Sequence, residues 1–174
     1  RDASCLVGSE MCIRDRYLDS FLSLSVVFLT LISWFGVLLK YRKIKYVVKK
    51  ETKHYWPLIE EDIKVSLLGI TALQNILFYN MFRRAMEMLP IQKKGIYLQE
   101  NQGWEFGFIS SWREFKHEQL IGVPHSTVRY WDLRYFFDSR SYKKKCGFAL
   151  PLPDKVAVNG VEAKRQYIDA KYPI

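Results

Sequence analysis

The sequence predicts a membrane α plus small α+β protein. It reads as one transmembrane helix, a second apolar helix that spans or lies at the interface, a short antiparallel β-hairpin region and an irregular basic tail. Three observations carry this reading. Residues 20–39 are twenty consecutive residues without a charge. Residues 65–82 are eighteen more. Beyond Lys94 the apolar period drops to two, as a pleated strand requires.

Residues 1–16 are set aside first. Residues 5–16 resemble the conceptual translation of a sequencing adapter, and such a segment is excluded from fold reasoning as a fusion scar is. The sequence opens on Arg1 rather than Met. The expectation is therefore a fragment, a processed form or a mis-assembled frame, with any targeting peptide lost.

Residues 17–39 are the expected transmembrane helix. At 1.5 Å per residue, twenty apolar residues cover the roughly 30 Å hydrocarbon core. Thirteen residues of 20–39 are Leu, Ile, Val or Phe. At about −0.3 to −0.6 kcal/mol each they favour insertion by roughly −4 to −8 kcal/mol. Tyr17, Trp34 and Tyr41 lie near the ends, where interfacial aromatics gather. The rest of the chain is too short to bury such a helix on all sides.

Residues 40–64 are read as a basic connector carrying Lys40, Arg42, Lys43, Lys45, Lys49 and Lys50. The positive-inside rule puts this flank in the cytoplasm or the mitochondrial matrix. The same cations can hold anionic lipid headgroups, at about 1 kcal/mol each near the surface. Trp56-Pro57 is expected to break the connector. Glu60, Glu61 and Asp62 suit the first turn of the next helix, where the dipole favours anions.

Residues 65–84 form the second apolar helix. Ser66, Thr71, Gln74, Asn75 and Asn80 oppose insertion. If it spans, Gln74 and Asn75 need partners on the first helix or on another subunit.

Residues 85–174 are the extramembrane region. Residues 95–99 read as a strand and 100–103 as a turn. Trp104, Phe106 and Phe108 read as the apolar face of a second strand, which closes an antiparallel hairpin. Residues 120–123, stopped by Pro124, read as a third strand, and 161–172 as a short helix.

Little in the chain points to catalysis. The phosphate-loop, dinucleotide, serine-nucleophile and HExxH zinc motifs are all missing. His54, His117 and His125 have no thiol or carboxylate at a known ligand spacing. Outside residues 1–16 the sole cysteine is Cys146, which rules out an internal disulfide. The chain is read as a non-enzyme without cofactor, metal or small-molecule substrate.

Partners are suggested by charge and by aromatics. The chain carries 27 basic and 18 acidic residues, a net +9, and residues 1–16 contribute three of each sign. This balance suits anionic lipids, acidic protein surfaces or RNA. Residues 129–145 mix aromatics with cations. Trp, Tyr and Arg are the usual anchors of protein interfaces. The expected partner surface is Trp104, Phe106, Trp112, Tyr130, Trp131, Arg134 and Tyr135, with other membrane subunits as partners and no nucleic acid. The alternative is a membrane-tethered RNA- or ribosome-binding protein.

One resemblance adds to this. Gly95-Ile-Tyr-Leu-Gln-Glu-Asn-Gln-Gly103, Phe108-Ile-Ser-Ser-Trp112 and Val123-Pro124 follow two apolar segments. That layout, over residues 65–124, resembles a family of small mitochondrial inner-membrane proteins that assist assembly of respiratory complexes. The resemblance implies an assembly factor or accessory subunit in that membrane.

Overall fold

The computed structural model describes residues 16–124, 132–142 and 149–173. A short 3-10 turn at Leu18–Phe21 leads into α1, Leu24–Glu51. Ser23 starts α1: its backbone is extended and its hydroxyl accepts the Val26 N–H at 3.3 Å. This is the arrangement that satisfies an orphan donor of the first turn.

α1 does not stop at Leu39. It runs straight through Lys40, Arg42, Lys43, Lys45, Lys49 and Lys50 to Glu51. The expected connector is therefore helical over its first half. Charge ends an apolar run but not a helix, because Lys, Arg and Glu are good helix formers.

α2, Trp56–Leu68, begins where a break was expected. Pro57 falls in its first turn, where a missing N–H costs nothing. Glu60 and its neighbours thus sit beyond the first turn. At Gly69 the helix breaks, and α3, Ile70–Met88, leaves at 46° to α2. The Gly69 N–H closes α2 on Val65 O at 3.0 Å, while its own carbonyl accepts the Ala72 N–H of α3 at 3.1 Å. A Cβ on residue 69 would lie 2.7 Å from Val65 O. Together α1, α2 and α3 make a long helical hairpin, with α3 returning along the first half of α1.

The antiparallel hairpin is overturned. β1, Lys94–Gln99, is followed by a helix, α4, Gly103–Glu114, and then by β2, Gln119–Pro124. β1 and β2 are parallel, with Lys94 opposite Gln119 and Gln99 opposite Pro124. A short β3, Lys155–Val156, pairs parallel to β2, giving the order β1-β2-β3. Parallel neighbours need a crossover, and α4 supplies it. The fold is thus mostly helical with a small three-stranded parallel sheet.

Trp104, Phe106 and Phe108 belong to α4. Their period of two is accidental. Trp104, Phe108 and Trp112 recur every four residues, and Glu105 reaches back to the Gln102 N–H at 2.9 Å, half of a capping box.

Ala85 and Met86 of α3, Tyr97 of β1, Ile109 and Trp112 of α4 and Leu120 of β2 form the main core. A second cluster joins Tyr135 to Tyr167, Ala170 and Tyr172 around α6, Val161–Asp169, which follows a single turn, α5, at Ser139–Tyr142. The opposite sheet face is open, with Ile96 and Leu98 exposed.

Candidate membrane and docking surfaces

α1 is the one described helix long and apolar enough to cross a membrane. Val26 and Thr30 face α3 and are buried, whereas Phe28, Leu31, Ile32, Phe35 and Leu39 are exposed. The uncharged part of the helix, residues 24–39, measures about 24 Å. That falls short of a roughly 30 Å core, and flanking long cations can make up the difference by snorkelling.

α3 is tied to α1 by one buried polar contact. Asn80 Nδ2 donates to Thr30 Oγ1 at 3.0 Å, and the Thr30 hydroxyl donates to Val26 O at 2.8 Å. Nearby, Ser25, Val26 and Leu29 of α1 share a cavity of about 360 Å³ with Asn80, Arg83, Arg84, Glu87 and Phe115. The first turns of α1 therefore lie level with charged groups at the end of α3.

α4 packs on the far side of α3. Gly107 allows this approach: a Cβ there would lie 3.3 Å from Tyr79 Cα. Phe82 meets the rings of Trp104 and Phe108 at 6.0 and 5.3 Å. Arg83 Nε donates to Glu114 Oε2 at 2.9 Å. The α/β unit is thus fastened along the helix that lines α1.

The basic flank divides into two kinds of cation. Lys40, Arg42, Lys43, Lys49 and Lys50 are exposed. No salt bridge engages them among the described residues. Lys45 instead turns inward and donates to Glu60 at 2.7 Å. The same carboxylate accepts the indole N–H of buried Trp56 at 2.9 Å. The hydrogen bond with Lys45 holds the Glu60 carboxyl below its usual range, and the same bond raises Lys45. Lys45 is a clasp of the α1–α2 hairpin rather than a headgroup ligand.

The expected partner surface also divides. Trp104 and Phe106 are half-buried on α4. Trp112 is interior, and its indole N–H donates to Glu118 O at 2.7 Å. Tyr135 is interior too, edge-on to Tyr167 at 5.1 Å. Neither can meet a partner, because each ring is already covered by the chain's own core. Arg134 is exposed but held by Asp132 at 2.7 Å. Tyr130 and Trp131 lie outside the described residues.

Several polar residues escaped the sequence reading. Glu105 is 2% exposed, and its carboxylate accepts the N–H groups of Glu100 and Gln102 at 2.8 and 2.9 Å. Burial holds its carboxyl above the usual range, and the N–H groups of Gln102, Glu100 and Asn101 oppose this only in part. Gln99 is fully buried at the carboxyl end of β1, with its amide on Tyr172 Oη and Asn101 Oδ1. In open α/β sheets that end is where ligands settle. Here the Tyr172 ring plugs it.

His117 is buried, its ring tilted by 39° against Trp112 at 4.6 Å. Its Nδ1 accepts the Gln92 N–H at 3.0 Å, so Nε2 carries the proton toward Met86 O at 3.3 Å. Among the described residues no group of three or more His, Cys, Asp or Glu is placed to hold a metal.

No family model, no curated protein and no solved structure matches this chain.

Proposed function

We propose that this chain is a non-catalytic accessory subunit or assembly factor of a membrane complex, acting through protein and lipid contacts. One observation carries the reading: the crossing helix and the α/β unit are fastened to the same stretch of α3. If α1 crosses a bilayer, the α/β unit shares part of its depth. Irregular backbone and open sheet edges are tolerated at membrane depth only where protein or a water-filled cavity encloses them. β1 is an edge strand among the described residues, and its outer face shows Ile96 and Leu98. Parallel sheets are ordinarily covered on both faces. A neighbouring subunit supplies both the enclosure and the cover.

In its finer form the complex is one of the respiratory chain, in the mitochondrial inner membrane. The basic flank after Leu39 and the resemblance over residues 65–124 support this. The replacement of the expected second strand by α4 removes part of that resemblance. The interior place of Tyr135 and the pairing of Arg134 weaken the RNA alternative and leave exposed Phe136 as its described aromatic.

The test is a native gel of membranes solubilised in mild detergent, after carbonate washing. Carbonate-resistant chain that migrates with an intact respiratory complex supports an accessory subunit. Migration with partial assemblies supports an assembly factor. A monodisperse, stable chain running alone sinks the proposal.

A further inference from the structure

We infer that the outer face of the α1–α2 hairpin docks an acid-rich protein surface, not the lipid headgroups beside it. The inference rests on the reading of α1 as the crossing helix. The continuity of α1 past Leu39 carries it. With α1 along the bilayer normal, Tyr46 and Val47 lie about 11 Å beyond the end of the apolar run, and Lys49 and Lys50 about 15–16 Å beyond it. Headgroups occupy only about 5–8 Å per side. Because the apolar run is about 6 Å short of the core, the boundary shifts a few Å toward Lys43, and the distal cations then stand at the outer edge of the headgroups or a few Å past it. Lys40, Arg42 and Lys43 serve lipid best, and Lys49 and Lys50 least.

The face has the composition of a docking surface. Tyr46 is 70% exposed and Val47 49%. Arg42 and Lys43 lie one turn before them, and Lys49 and Lys50 one turn after. Residues 43, 46, 47 and 50 follow the i, i+3, i+4, i+7 spacing of one helix face presented to a groove. On the hairpin Glu51 follows Lys50, Glu61 pairs with Lys64, and Lys45 already holds Glu60, which Lys49 feels only at a distance, so Arg42, Lys43, Lys49 and Lys50 leave the face net positive. An apolar centre between two pairs of cations fits an apolar groove rimmed by carboxylates. Val47 beside Tyr46 favours a protein groove over RNA, since only one of the two central side chains offers a stacking face. The hairpin is braced for the task by buried Trp56 and its bond to Glu60.

The test is a full-length chain carrying a photoreactive phenylalanine at Val47, expressed in its native membranes. Irradiation should give a protein adduct whose cross-linked segment, read by mass spectrometry, is net acidic. Lys43→Glu with Lys50→Glu should cut the adduct about tenfold, with a smaller cut for Lys43→Gln and Lys50→Gln. Gln matches Lys in helix propensity, so the graded loss separates charge from unfolding. A nuclease-sensitive adduct, a lipid adduct, a charge-insensitive protein adduct or no adduct each overturns the inference. Release of the chain by carbonate with the acidic adduct intact would sink the membrane reading alone.

Discussion

Asn80 and Thr30, fifty residues apart in sequence, share one hydrogen bond of 3.0 Å in the contact between α1 and α3. The two ends of this bond differ in what they lose when it is cut. Thr30 keeps its bond to Val26 O, whereas among the described residues the Asn80 amide has Thr30 as its acceptor and no second one.

Thr30→Val should therefore cost more than Asn80→Ala loses through this bond. An interhelical hydrogen bond at membrane depth contributes about 0.6 kcal/mol, up to roughly 1.7. An orphaned buried amide costs about 1–3 kcal/mol. A double-mutant cycle on denaturant midpoints in detergent measures the asymmetry, and equal losses from both single variants would contradict it.

Gly107 sits where α4 meets Tyr79. Gly107→Ala gains about 1 kcal/mol of helix propensity but presses a methyl into a 3.3 Å gap. Gly107→Leu gains a similar propensity but forces a far larger side chain into the same gap, and should destabilise by about 1–3 kcal/mol or more. A thermal melt followed by Trp fluorescence reads the difference, and a Leu variant as stable as the parent would show that the α3–α4 contact is loose.

Glu105 gives the fold a pH dependence. Its folded pKa lies above the ordinary 4.5. The folded state then binds a proton more readily than the unfolded chain. The contribution is complete below the ordinary value and is lost as pH rises through the raised one. Glu105→Gln keeps an oxygen for the two N–H groups and should flatten that decline. Urea midpoints across the acid range, parent against variant, decide it.

Within the hairpin, the half-exposed Lys45–Glu60 pair and buried Trp56 should behave very differently. Lys45→Ala should leave stability almost unchanged, since both partners are partly solvated. Trp56→Ala opens a large cavity and should cost about 3–5 kcal/mol. Proteolysis between α1 and α2 would report the loss first.

The one described helix long and apolar enough to cross a membrane was legible because a run of twenty uncharged residues stands out regardless of its neighbours. Its far end was not, since the charge boundary at Lys40 was taken for a helix boundary. Pro57 misled for a related reason: proline blocks a helix interior but suits its first turn. The aromatic run from Trp104 fits periods of two and of four equally well, and only the reach of Glu105 to Gln102 chooses between them. Trp112 and Tyr135 looked like partner anchors because composition cannot say which aromatic is already covered. A period of two places Gln99 at the end of one strand and Glu105 among the polar residues of a second, and neither position suggests a buried side chain. Their burial is set by Tyr172 and by the loop N–H groups, contacts that sequence spacing does not encode.

The unbroken course of α1 through Leu39 and Lys40 has a mechanical consequence. A helix that is continuous across two environments acts as a lever. From Leu39 to Glu51 the arm is about 18 Å, so a tilt of about 10° in the apolar half would carry the tip about 3 Å. On the proposed reading, a partner that grips Tyr46 and Val47 would sense, or impose, the attitude of the helix in a bilayer.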